Sequence, residues 1–164
     1  MQTLFTITQI KDYGLIHGNV DETQLSAIIK RSEDTAVQSV LGTAFYKDLL
    51  TKANNNTLSS DETTLMNEYI LPFLASVVDK AALYALNYEL RSQGFGVSSD
   101  TTFRPASVQE LEKMEAELNG YIETYRSVMV NYLCVNKSKF PKYIDNNSDG
   151  IDKSDEPSIP ISFL

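Results

Sequence analysis

The chain has 164 residues, with 22 acidic against 14 basic side chains and a formal charge of −8. That length suits one domain with a substantial core. The negative balance argues against tight binding of duplex DNA, whose affinity comes largely from Lys and Arg neutralising phosphates. A single cysteine, Cys134, excludes an intrachain disulfide and fits a reducing cytoplasm.

The N-terminal MQTLFTITQI has neither a basic n-region nor a long apolar h-region, so no signal peptide is expected. A short helical or turn segment is expected around Thr8 to Tyr13, followed by a Gly14/Gly18 loop. His17, the only histidine, lies in that loop with no cysteine or second histidine near it, and reads as a plain loop residue. Asp21-Glu-Thr-Gln24 has the form of a capping box, Asp21 capping and Gln24 reaching back. Leu25, Ile28, Ile29, Ala36, Val37, Val40 and Leu41 then recur at three and four, which predicts a helix with one buried stripe. Gly42 ends it, and Thr43 is expected to cap a second helix running through Phe45 and Tyr46 to about Lys52. Asn54 to Asn56 read as a loop, and Ser59-Ser60 with Asp61 and Glu62 opens the next helix.

That helix reaches Pro72, where a kink in one long helix is favoured over a break because no other breaker is present. Leu71 to Gln93 is the most continuously apolar stretch, with Asp79, Lys80, Asn87 and Glu89 as its clear solvent markers. A helix apolar almost all round belongs in the middle of an assembly of helices. It is too short and too charged for a membrane span, and Gly94 looks like its stop. Residues 94–106 are expected to form an irregular loop or hairpin; the Gly94-Phe95-Gly96 start lacks the lysine and preceding strand of a phosphate loop.

Ser107-Val-Gln-Glu110 is a second capping box, opening a helix of about 28 residues, ~42 Å long. Leu111, Met114, Leu118, Ile122, Tyr125, Met129, Tyr132 and Leu133 share its core stripe. Opposite lie the small residues Ala116, Gly120, Ser127 and Cys134, with Lys113, Glu117, Glu123 and Asn131 beside them. A mid-helix glycine costs ~1 kcal/mol relative to alanine. Gly120 therefore marks either close approach of another helix or one weak position on a solvated face. The helix is expected to end at Phe140-Pro141 after Lys137 and Lys139, whose charges suit its C-terminal dipole.

In the last 21 residues, Asp145, Asn147, Asp149, the Ile151 carbonyl and Glu156 match the spacing of a calcium loop, with Gly150 at the turn. Asp152 stands where an apolar residue is usual, and Pro157 blocks an exiting helix. The two readings are a lone loop that binds calcium weakly and a solvated acidic turn. Beyond it Ile159, Ile161 and Phe163 fall on one side of an extended strand, while Pro157 and Pro160 remove backbone donors and exclude a helix. Such an arm suits docking on a neighbouring subunit or another protein of the assembly, by strand addition or in an apolar groove.

The expected fold is all-α: a bundle of about five helices around a central apolar helix, with an extended C-terminal arm. Residues 1–143 form the helical domain and 144–164 the acidic loop and arm. There is no Ser/His/Asp set, Cys/His pair, Glu-x-x-His or Walker loop. Glu112 with Glu115, or Glu110 with Glu117, mimic paired carboxylates, but on a long helix such charges form its wet face. Nine tyrosines are many for this length and either line a core or supply an interface. No enzyme activity is expected.

Ile10-Lys11-Asp12-Tyr13, the acidic-capped helix ending Val40-Leu41-Gly42, and Phe45-Tyr46 resemble the N-terminal half of head–tail connector (adaptor, or neck ring) proteins of tailed bacteriophages. The Leu71-Pro72 helix, the Ser107 helix, Tyr132-Leu133 and Phe140-Pro141 resemble a subgroup from crAss-like gut phages, so that the similarity covers roughly residues 5–143. It rests on packing and capping residues; the acidic tail lies outside it. The resemblance implies a virion protein, assembled in the bacterial host cytoplasm into a ring, commonly of twelve copies, beneath the portal. Its partners would be further copies, the portal protein, other neck or tail proteins, and DNA passing through without specific binding, with no membrane. Apart from the resemblance, the small face of the long helix and the one-sided strand of the arm make Ala116, Gly120, Ser127, Ile159, Ile161 and Phe163 the expected subunit-interface residues. The alternative is a small cytoplasmic helical adaptor or regulator that binds a partner protein.

Overall fold

The computed structural model describes residues 2–16, 20–91, 94–97 and 108–143. The His17 loop, the calcium-loop candidates Asp145, Asn147, Asp149, Ile151 and Glu156, and the arm residues Ile159, Ile161 and Phe163 lie outside the described residues. Within them the fold is all-α, as expected, and built from five helices.

Helix α1 is Ile7–Tyr13. Thr6 caps it in a reciprocal box, its hydroxyl accepting from the Gln9 amide while the Gln9 side chain accepts from the Thr6 amide. Helix α2 starts at Glu22, with the Asp21 carboxylate accepting from the Gln24 amide at 2.9 Å. It runs as Glu22–Ser32, a π-helical Glu33–Val37, and Gln38–Leu41 without a break. The widened turn carries an amide of Gln38 onto the carbonyl of Glu33, five residues back. Gly42, at φ 77°, turns the chain directly into α3, Thr43–Asn54. Gly42 rather than Thr43 occupies the capping position, and the Thr43 hydroxyl instead accepts from the Gln38 side chain. Asn56, at φ 52°, makes the left-handed exit from α3.

Helix α4 combines Ser60–Thr64, a π-helical Leu65–Ile70, and Leu71–Asn87. Ser59 and Glu62 form its capping box. One continuous helix passes through Pro72, as expected, and the π segment lies immediately before the proline. There the Leu71 amide reaches Met66, five residues back, which relaxes the ladder where a proline removes a donor and crowds the preceding turn. The apolar stretch does not stay helical to Gln93. Tyr88–Arg91 forms β1, paired antiparallel with Gly94–Val97 as β2. Gly94 thus opens a strand and stops no helix, because backbone pairing with Arg91 takes up the chain there. Helix α5 is Val108–Val135, of 28 residues, as its periodicity predicts. It ends before Phe140-Pro141: a short 3-10 turn, Lys137–Lys139, intervenes.

Helix α4 is the central element. Phe73, Leu74, Ala75, Val78 and Ala82 are buried in its second half, with α1, α2 and α5 packed on it. Leu25, Ile29, Val37 and Leu41 close the core from α2, Phe45 and Leu49 from α3, and Met129 and Leu133 from α5. The chain after α5 returns across α3, with Phe140 and Tyr143 at ring distances of 5.8 and 6.2 Å from Phe45. Tyr69 of α4 stacks on Tyr132 of α5 at 4.0 Å. Lys139 reaches Asp61 in the first turn of α4 at 2.8 Å.

Two carboxylates inside this body hold the N-terminal segment. Glu33, 0% exposed, accepts from the Leu4 amide at 2.8 Å and from the Tyr46 hydroxyl at 3.2 Å. Burial, opposed by hydrogen bonds from Leu4, Tyr46 and Phe5 and by the Lys30 charge, pushes its carboxyl up to about 7. Asp79, expected to mark solvent, is only 9% exposed and accepts from the Leu15 amide at 3.0 and 3.1 Å with its two oxygens. It faces inward because the Gly14–Leu15 turn leaves an amide there that needs a partner. Burial raises its carboxyl too.

Candidate functional site

Helix α5 is long enough to present two faces, and only one is used by the core. Leu118, Met129 and Leu133 are buried; Leu111, Ile122, Tyr125 and Tyr132 are half-buried beside them. Lys80 of α4 fixes the helix laterally, donating to Asn119 at 2.7 Å and pairing with Glu115 at 3.3 Å. Glu115 is thereby a structural ion-pair partner rather than half of a carboxylate pair.

The exposed face is not uniformly polar. Met114 is 43% exposed, Tyr121 55%, Val128 49% and Val135 75%. Met114 was expected in the core stripe and lies outside it. These four residues are spaced by seven, so on a helix of 3.6 residues per turn they form one narrow apolar row ~31 Å long. Tyr13 of α1, 48% exposed, lies at the edge of this row through a hydroxyl hydrogen bond with Tyr125. Burial first and this bond second raise the Tyr13 phenol. A seven-residue apolar row against solvent is the pattern of a helix awaiting another helix.

Beside the row lies a second one. Ala116, Gly120 and Ser127 are exposed and Cys134 is half-buried. No heavy atom comes within 4 Å of a Cβ built on Gly120. Close approach of another helix, one of the two readings of this glycine, therefore does not come from any described part of its own chain. The three residues expected at an interface on α5 are together on one open face; what the spacing did not reveal is that the larger residues beside them are open as well.

Other places are less equipped for chemistry. A cleft of about 400 Å³ between the N-terminal segment and the α3–α4 turn is lined by Thr3, Thr6, Gln9, Asn54 and Asn67, with no ionisable side chain among its lining residues. Glu33 titrates near neutrality but is sealed from solvent, so no substrate reaches it. Among the described residues no group of three or more His, Cys, Asp and Glu is placed to hold a metal. No helix among them is long and apolar enough to cross a membrane.

No curated protein and no solved structure matches the chain. A family model does, over residues 37–152, from the π-helical turn of α2 through α3, α4 and α5 and past the end of the core. Because that match spans most of the chain, the protein belongs to DUF6712, a family of unknown function.

Proposed function

We propose that the protein is a structural virion subunit, part of a ring in the neck of a tailed bacteriophage that joins the portal to the tail and lets DNA pass. The observation that carries this reading is the open face of α5, where Met114, Tyr121, Val128 and Val135 stand 43–75% exposed on a helix anchored by its other side. Leaving such a row in water is unfavourable, at ~25 cal/mol for each Å² of apolar surface, and contact with another subunit relieves it. The resemblance to head–tail connectors supplies the assembly. The charge of −8 suits a conduit, since a wall that repels phosphates does not retain DNA.

The test is to mix the purified protein with its portal protein, measure mass and image the particles. A ring seated on the portal is the expected result. A protein that stays monomeric or dimeric, alone and with portal, would replace this reading with that of a small helical adaptor using the same face for a partner helix.

A further inference from the structure

We propose that residues 2–16 form a strap whose Leu4 end lifts from the body with release of the Glu33 proton, so that acid fastens the strap and neutral pH loosens it. This goes beyond the ring reading and does not depend on it.

Two carboxylates fasten the strap, one at each end. The Leu4 amide donates to Glu33 at 2.8 Å, and the Leu15 amide donates to Asp79 at 3.0 and 3.1 Å. Between them α1 packs on α2 and α4. The Leu15 end has a further tie, a hydroxyl hydrogen bond between Tyr13 and Tyr125 of α5. The Leu4 end is undercut instead. The cleft of about 400 Å³ has Thr3, Leu4, Phe5 and Thr6 along one side and Asn54, Thr63 and Asn67 along the other. Leu4 therefore stands between an open polar cleft and a carboxyl that is 0% exposed. Lifting this end lets water from the cleft reach Glu33.

The groups around Glu33 suit its protonated form. Tyr46 Oη, from α3, lies 3.2 Å from Glu33 Oε2 and 3.3 Å from Asp34 Oδ1. Lys30 Nζ is 3.4 Å from the same hydroxyl and pairs with Asp34. A hydroxyl has one proton to donate. When Glu33 and Asp34 are both ionised they compete for it. When Glu33 carries a proton, it donates to Tyr46, Tyr46 donates to Asp34, and Glu33 Oε1 still accepts from Leu4. Every member of the chain of bonds is then satisfied.

Lys30 relieves the competition only in part, because its charge is shared with Asp34. The strap offers Glu33 the amides of Leu4 and Phe5. Among the described residues no charged side chain of the strap or of α4 bonds or pairs with it. Burial outweighs these donors and the Lys30 charge, and holds the closed-state carboxyl at about 7. In water under a lifted strap the ordinary value of 4.5 returns. A carboxyl that binds its proton less tightly when open releases it on opening. The opening equilibrium therefore rises with pH and levels off once the closed form is itself ionised. Burial of Leu4 and Phe5 favours the closed form throughout, and pH sets how often this end lifts.

Hydrogen exchange of the full-length protein, resolved by residue and divided by the intrinsic rate at each pH, tests this from pH 5 to pH 8. The Leu4 and Phe5 amides are expected to open far more often than that of Val78, which is 0% exposed in the middle of α4. Their opening constant should rise about 70-fold across this range and level off above about 7. In Glu33→Gln the rise should be lost while the Leu4 amide stays protected. In the wild type the levelling should coincide with the titration of the Glu33 carboxyl carbon followed by NMR, a readout that needs no variant. Leu4 exchanging no faster than Val78 would show that the segment opens only with the whole fold, and would overturn the strap. A rise of the same size in Glu33→Gln, or one that does not follow the Glu33 titration, would overturn the coupling to this carboxyl. Ring formation on the portal is read separately and bears on neither result.

Discussion

Replacing Glu33 by glutamine is expected to make the protein more stable at pH 8 and to change little at pH 5. The carboxyl of Glu33 is 0% exposed and titrates at about 7 in the fold, against 4.5 for an exposed glutamate. Its folded value lies above its unfolded value. Its protonated form therefore favours folding: the contribution is fully present below pH 4.5 and is lost as pH rises through about 7. The difference of about 2.5 units corresponds to roughly 3 kcal/mol at 1.36 kcal/mol per unit. Glutamine is close in shape and keeps an oxygen for the Leu4 amide, and its NH₂ can donate to the Tyr46 hydroxyl oxygen. Urea unfolding of wild type and Glu33→Gln, followed by circular dichroism in steps from pH 5 to pH 8, measures the effect as a difference. That difference cancels carboxylates with the opposite sign, such as Asp48, held low first by its hydrogen bond from Lys142 and then by that from Lys52. The variant should gain roughly 2.5 kcal/mol on wild type between pH 5 and pH 8, less than the full value because the unfolded carboxyl is already mostly ionised at pH 5. Parallel pH profiles, or a variant less stable than wild type at pH 8, would refute the reasoning.

Leu74→Ala removes a fully buried side chain at the centre of α4 and should cost about 2–5 kcal/mol in the same assay; a cost near zero would show that α4 is not the core. Gly14→Ala places a Cβ 2.8 Å from an Asp79 oxygen and 2.9 Å from the Ile10 carbonyl, so a loss of roughly 1–3 kcal/mol is expected from the forced shift. Gly120→Ala should instead raise the stability of the isolated subunit by ~1 kcal/mol, since none of the described residues lies near and alanine is the better helix former; a loss in thermal melting would contradict this.

Periodicity and capping were enough to locate four of the five helices closely. Asp21, Ser59 and the apolar spacing that follows each are local signals, because a cap and a repeat of three and four act within one or two turns. The 28-residue length of α5 and the continuity of α4 through Pro72 follow from the same local chemistry. Where the chain's neighbours in space decide, sequence reading had no purchase. The apolar run after Asn87 suits helix or strand equally, and pairing with Gly94–Val97 selected the strand. Asp79 carries a charge, which on a helix usually means solvent, yet an amide of Leu15, 64 residues away in sequence, fixes it inside. Glu33 gave no sign of burial in a polar Ser-Glu-Asp-Thr stretch; a π-turn and the Leu4 amide placed it there. On α5 the sequence alone identified the small residues and the apolar ones. Which apolar residues the core would take was decided by the rotation of α5 against α4, which buries Leu118, Met129 and Leu133 and leaves Met114, Tyr121, Val128 and Val135 in water.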